Sequence, residues 1–394
     1  MKKIFKKIYK HGFWGSIKVF YRLILGKPWM LRFRFYRNLF RLILNQNFQK
    51  KRILGIYDLK TLPWDVGDPL VFVETLNVLK IKHKAEKIDI CVIYDRECPG
   101  YRVRKSSGCN LTSENAQDYI LELLPLFSTC QYLGSVYQFN SRKEFYRFFK
   151  KNIDRYDIFP SLGSHLGEVD IVKGMDTLNP MAKFYDCYGY IPYLRIGKRD
   201  GAFAKWLLKK ELPEGAIPVA ISLKGTSHRV ESNADPKVWL SFIDKCKLDF
   251  PEIIFVVVGL REEVFEGLRS RSNVFISKDF GTSIIEDLAL IRSSLMYMGT
   301  ISGVNAISLF SDLPYLIIQF VTIVYLQHDM KIGDRFSFMT DTQKILSADI
   351  KVTSEMLFKE FKEIYIRLDK SKLRDVLLRN AYRKQEHPMA RVAD

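Results

Sequence analysis

Beyond its first fifty residues the chain alternates short apolar runs with longer stretches whose apolar residues recur at helical spacing. The runs RILGIYDL (52–59), DICVIYD (89–95), CQYLGSVYQF (130–139) and YDIFPSLG (156–163) predict four strands. Five more are predicted by IPVAISL (217–223), EIIFVVVG (252–259), NVFISK (273–278), LMYMG (295–299) and YLIIQ (315–319). Helices are expected from Asp68 to about Lys87, Thr112 to Phe127, Ser141 to about Asn152, Pro236 to Phe250 and Ser283 to Ser293. Others are expected from Glu262, from Val304 to Phe310, and between Thr353 and Arg383. Strands that are apolar throughout and separated by helices belong to a parallel sheet covered on both faces.

A chain of 394 residues is long for one core, and the pattern divides into two Rossmann-like halves. The segment YGYIPYLRIGKRDGAF (188–203), rich in Gly and Tyr around Pro192, is the linker candidate. The expected organisation is an arm over 1–52, an acceptor domain over 53–195, a nucleotide domain over 196–330 and a helical segment over 331–394. Open parallel sheets bind ligands beyond the carboxyl ends of their strands, where helix N-termini hold anions. A cleft between the two halves is therefore the expected site.

Charge separates the arm from the rest. Residues 1–52 hold fifteen Lys or Arg and no acid, leaving 47 basic against 44 acidic residues beyond them. In the arm Ile4, Phe5, Ile8, Phe13, Ile17, Phe20, Tyr21 and Ile24 track one side of a helix, with Lys2, Lys3, Lys6, Lys7, Lys10 and Lys18 off it. Pro28 interrupts, and a second segment to Leu44 repeats the mixture with Arg32, Arg34, Arg37 and Arg41. No apolar run approaches the roughly 20 residues that span a bilayer. A helix of residues 1–45 lying on an anionic membrane surface fits this composition. Packing on the protein's own body competes with that reading; nucleic-acid binding is disfavoured, because apolar residues outnumber the amides that read bases. The expected location is the cytoplasm, peripheral on the inner face of the plasma membrane. Six scattered cysteines, with no CxxC and no His cluster, fit a reducing compartment and no structural metal.

Candidate chemistry gathers at three strand-to-helix turns. Gly67-Asp68 opens the first predicted helix; Asp68 could cap it, with Pro69 at the first helical position, or serve as a carboxylate at the rim of a cleft. Lys224, Gly225, Thr226, Ser227, His228 and Arg229 follow the fifth predicted strand, offering cations and hydroxyls to a diphosphate or forming a solvated loop. Gly299, Thr300, Ile301, Ser302 and Gly303 link a strand to a helix and form either a tight turn or an anion cradle. Glu286 and Asp287 sit in a first helical turn, where acids suit the dipole; Glu286 is the candidate for a ribose. His165, with Glu168 and Asp170, lies in a glycine-bearing loop after the fourth strand and is a weaker acceptor-side candidate. There is no DxD pair, no G-x-G-x-x-G after a strand, no Walker A and no G-x-S-x-G. That disfavours metal-held diphosphate, nicotinamide, P-loop and hydrolase chemistry in turn.

The order Gly-Asp at a helix start, a basic and hydroxyl loop before DPKVWLSF, then FVVVGLREE and DLALIRSSLMYMGTISGVNAISLFSDLPYLII resembles the GT-B glycosyltransferases of the lipopolysaccharide heptosyltransferase family, glycosyltransferase family 9. The resemblance covers residues 53–320 diffusely. It implies an α/β, GT-B-like fold and transfer of a sugar from a nucleotide-sugar donor. In that family the Gly-Asp aspartate is the catalytic base, matched by Asp68 beside Gly67. Lys224, Thr226 and Ser227 fall in the family's first donor loop, and Ser302 and Gly303 match the Ser-Gly of its D-S-G-x-x-H motif. Ile301 replaces the Asp of that motif and Ala306 its His, with Asn305 adjacent. The resemblance implies an inverting transferase using a nucleotide sugar for hexosyl, heptosyl or deoxyhexosyl transfer; the altered motif sets it apart from the ADP-heptose enzymes, and with no DxD pair no metal or further cofactor is expected. Its acceptor would be a glycan or lipid-linked glycan of cell-surface polysaccharide assembly. GT-B fucosyltransferases, with a basic loop in a comparable place, are a second kinship. A sugar-nucleotide epimerase and an inactive GT-B-like scaffold are the competing readings.

Overall fold

The structure, a computed structural model, describes residues 51–59, 62, 66–94, 116–160, 178–225, 230, 233–320, 335–347 and 351–368. The basic arm up to residue 50, Thr226, Ser227, His228, Arg229, His165, Glu168, Asp170 and the chain after residue 368 lie outside the described residues.

The first sheet holds β1 (Arg52–Asp58), β2 (Ile88–Ile93), β3 (Leu133–Phe139) and β4 (Tyr156–Phe159), in the order β3-β2-β1-β4. The second holds β5 (Ile217–Ser222), β6 (Ile253–Val258), β7 (Val274–Ile276), β8 (Met296–Thr300), β9 (Tyr315–Phe320) and β10 (Gln343–Ser347), ordered β10-β9-β8-β5-β6-β7. Every pairing is parallel. Starting from β7, the second sheet reads 3-2-1-4-5-6, the Rossmann order, with its reversal between β5 and β8. The first sheet makes the same reversal between β1 and β4. The molecule is thus an α/β protein built on two Rossmann-type parallel sheets, a GT-B-like architecture.

The helices are α1 (Gly67–Lys82), α2 (Ala116–Leu123), α3 (Arg142–Asn152), α4 (Leu178–Tyr188), α5 (Lys198–Glu211), α6 (Pro236–Asp249), α7 (Ile284–Arg292), α8 (Asn305–Leu309) and α9 (Ser354–Arg367). Ser141 begins α3 as expected, its hydroxyl accepting the Glu144 N–H. Three expectations need correction. Only a 3-10 turn, Arg261–Glu263, forms where a helix was expected from Glu262. Gly267 follows it at φ +91°, a conformation that ends helical winding. Second, α5 begins inside the linker candidate, at Lys198. Third, Asp68 does not cap α1: Val66 already has helical φ and ψ, which puts Asp68 one residue inside the helix.

The sheet faces sort by period two. Leu54, Ile56, Cys91 and Ile93 pack with Phe145 and Phe149 of α3 on one face of the first sheet. On one face of the second, Val219, Ile221, Phe255 and Val257 meet Trp239 and Phe242 of α6 and Phe361 of α9. The two remaining faces share one core. Tyr57, Phe72, Leu76, Ile90 and Phe127 belong to the same cluster as Val256, Leu288, Tyr297, Ile307 and Phe310. Helix α1 lies in this shared core and is buried at every position from Phe72 to Val78, as a helix covered on all sides must be. The segment 189–197 is stitched to both halves: Arg195 N–H donates to Thr129 O at 2.8 Å and Leu194 N–H to Phe310 O at 3.2 Å.

Candidate functional site

The carboxyl edges of the two sheets meet at two strand-to-helix turns. After β1 the chain enters α1 at Gly67-Asp68; after β8 it turns through Ile301-Ser302-Gly303 into α8. A Cβ placed on Gly303 would lie 2.6 Å from the Gly67 nitrogen and 2.8 Å from Val66 Cβ. Only a residue without a side chain allows that approach. Asp68, half-buried in the first turn of α1, has its Oδ2 sealed from solvent. The Gly-Asp and Ser-Gly pairs, 235 residues apart in sequence between Gly67 and Ser302, are brought together by the fold.

The Ser-Gly turn is itself held by a polar network at the β5/β8 reversal. Register places Ser222, the last residue of β5, opposite Gly299. Ser222 Oγ and Ser302 Oγ are 3.1 Å apart, and Ser302 donates to Asn305 Oδ1 at 3.1 Å. Tyr297 donates its phenol hydrogen to the same Asn305 oxygen. Burial pushes that phenol well above its ordinary pKa, so it stays a donor. Asn305 Nδ2 reaches Thr300 O at 3.4 Å, and Thr300 Oγ1 accepts the Lys224 N–H at 3.1 Å. A Cβ on Gly299 would stand 2.6 Å from both Ser222 O and Tyr297 Oη. The close approaches of Gly299 and Gly303 are therefore to the protein itself.

The loop after β5 is braced from the turn that follows β6. Glu263 receives the Leu260 N–H at 3.2 Å and also the Gly225 N–H. Burial raises the Glu263 pKa, while those two amides and the positive charge of Lys224 oppose the rise. Lys224 thus stands at the switch point with a carboxylate as neighbour. Farther along the same edge, Asp287 is fully buried and accepts from Ser277 Oγ (2.9 Å), Thr282 Oγ1 (2.6 Å) and Gly259 N–H (3.4 Å), with Lys278 Nζ at 2.8 Å. It ties the loops after β6 and β7 together. Glu286 closes a capping box on α7: Ser283 N–H and Oγ both donate to its Oε2, at 2.7 and 2.8 Å.

Of the sequence candidates, Gly67, Asp68, Gly299, Thr300, Ser302, Gly303 and Asn305 are gathered at the meeting of the two edges, and Lys224 and Gly225 adjoin them through Thr300 and Glu263. Sequence reading missed Ser222, Tyr297 and Glu263. The available signal for Ser222 was a polar residue at the carboxyl end of an otherwise apolar strand. Among the described residues, no group of three or more His, Cys, Asp or Glu side chains could hold a metal ion. Nor is any described helix long and apolar enough to cross a membrane.

No family model matches the chain, and no curated protein matches it in sequence. Among solved structures it is similar to ADP-heptose lipopolysaccharide heptosyltransferase II of E. coli, at 12% identity and TM-score 0.47, over 80% of this chain and 99% of that one. A glycosyl transferase of family 9 from Veillonella parvula aligns at 11% identity and TM-score 0.43, over 81% and 98%. The E. coli heptosyltransferase WaaC, bound to ADP-2-deoxy-2-fluoro heptose, aligns at 15% identity and TM-score 0.37, over 79% and 99%.

Proposed function

We propose that the protein is an inverting glycosyltransferase that moves a sugar from a nucleotide-sugar donor to a membrane-associated glycan or lipid. The observation that carries this reading is the contact of the Gly67-Asp68 helix start with the Ser302-Gly303 turn. It sets a carboxylate on one carboxyl edge beside the switch point of the other, where nucleotide phosphates bind in such sheets.

The chemistry requires both sides. As the acceptor hydroxyl oxygen bonds to the anomeric carbon, its proton passes to Asp68, and the bond from that carbon to the nucleoside diphosphate breaks. Attack opposite the leaving group inverts the configuration. The departing diphosphate gains charge, which Lys224 and Arg229 neutralise, with hydroxyls from Thr226 and Ser227. Ser302 and Asn305 act by holding the turn that Asp68 meets. The sequence has no DxD pair, so cations of the chain take the part that a metal plays elsewhere. The basic arm would keep the enzyme beside an acceptor at the cytoplasmic face of the membrane.

The test is Asp68→Asn. Asn keeps the size and removes the basicity, so kcat for transfer is expected to fall about 10²-fold or more. Far-UV circular dichroism and nucleoside-diphosphate affinity, measured by titration calorimetry, are expected to stay as in wild type. Full transfer by the folded variant would end the base assignment. Binding of none of a panel of nucleoside diphosphates by the wild type would end the transferase reading.

A further inference from the structure

Helix α5 presents an exposed outer face among the described residues. Gly201, Ala204, Leu207 and Leu208 are buried toward the shared core. Arg199, Ala202, Trp206, Lys209 and Lys210 are exposed and fall three or four residues apart along the opposite side. Trp206 is 53% exposed, an unusual position for the largest apolar side chain. Phe203 stands beside it with ring centroids 5.8 Å apart, and Lys210 Nζ lies 5.1 Å from its ring centre. Lys210 also meets Glu211 at 3.1 Å, and the helix as a whole carries five basic residues, Lys198, Arg199, Lys205, Lys209 and Lys210, against Asp200 and Glu211.

We infer that this face of α5 docks on an anionic phospholipid bilayer, with Trp206 entering the headgroup layer and the flanking cations meeting lipid phosphates. An exposed tryptophan with a lysine over its ring, on a helix with excess basic residues, is the chemistry of a membrane interface, where an aromatic body needs apolar cover and its N–H needs water. Charge complementarity favours an anionic surface over the chain's own arm as the occupant, since residues 1–50 hold thirteen basic side chains and no acid. The docking face belongs to the folded body, and its existence is independent of the transfer reaction.

The experiment is hydroxyl-radical footprinting of Trp206 in the full-length protein, read by mass spectrometry. It compares buffer, phosphatidylcholine vesicles and phosphatidylcholine vesicles containing phosphatidylglycerol. Oxidation of Trp206 is expected to fall severalfold on the anionic vesicles and to be unchanged on the neutral ones. The double variant Lys209→Gln/Lys210→Gln removes two charges, each worth about fivefold in partitioning, so co-sedimentation with anionic vesicles is expected to weaken roughly 25-fold. Three results would overturn the proposal. Trp206 could oxidise equally fast in vesicle-bound and free protein, which would leave binding to other segments. The double variant could co-sediment as wild type does. Duplex DNA or RNA could protect Trp206 where vesicles do not, assigning the face to nucleic acid.

Discussion

Two residues on α1 have roles that opposite measurements can separate. Glu74 is fully buried; its Oε2 accepts from Asn77 Nδ2 at 3.1 Å, and its Oε1 has no hydrogen-bond partner. Burial raises its pKa well above the ordinary carboxylate range, so the folded protein keeps a proton that the unfolded chain releases above about pH 4.3. Stability from this group is therefore fully present below that pH and is lost as pH rises through the folded-state value. Glu74→Gln cannot ionise in either state. Its urea midpoint is expected to match wild type near pH 4.5 and to exceed it at pH 8; parallel pH profiles would contradict a buried neutral carboxyl. Gly67, at the start of the same helix, meets Gly303. The added methyl of Gly303→Ala would push against the Gly67 backbone, an overpacking cost of about 1–3 kcal/mol in urea unfolding. On the proposed mechanism, displacement of Asp68, the residue after Gly67, should also lower kcat, whereas Gly303→Ala with unchanged stability and turnover would show that the two turns part easily. No local pattern in TISGVNA announces that its glycine answers a glycine 236 positions earlier. The residue types were legible as a strand-to-helix turn, but the partner was fixed only by two sheets meeting edge to edge.

At the scale of elements, legibility followed burial. Runs such as IIFVVV read as strands because central parallel strands lose water on both faces. QKILS, by contrast, forms the edge strand β10 and went unread, since one-sided pairing leaves no long apolar signal. The α5 helix was hidden in sequence by Pro192, Gly197 and Gly201, although Gly201 is a buried position within it. Asp58 illustrates an element interaction that sequence could not reveal. It ends β1, is almost fully buried, and receives Arg142 Nη2 at 2.8 Å on both carboxylate oxygens. Arg142 is the first residue of α3, so this pair clamps that helix to the carboxyl edge of the first sheet. Arg142→Met removes both charge-assisted bonds from a nearly buried carboxylate and is expected to cost about 1.5–3 kcal/mol, measured as a lowered urea midpoint. A change within a few tenths of a kcal/mol would mean that water replaces the guanidinium.

For the whole molecule, sequence reading supplied two Rossmann-like halves and pointed to the carboxyl edges of their sheets. It foresaw a cleft between them, and the described contact at Gly67 and Gly303 is tighter than that picture, because side-chain-free positions on both edges let backbone meet backbone. A nucleoside diphosphate that engages the switch point in the native state only should raise thermal stability by mass action, by about 2.7 kcal/mol at a concentration one hundred times its Kd. The shared apolar cluster has a further consequence, for cooperativity. Phe72 and Phe127 of the first half lie in one continuous core with Leu288 and Phe310 of the second, so neither half can melt without exposing the other's interior. Differential scanning calorimetry of the unliganded protein is therefore expected to give one endotherm, with calorimetric and van't Hoff enthalpies in agreement. Two resolved transitions would mean that each half retains a self-sufficient interior.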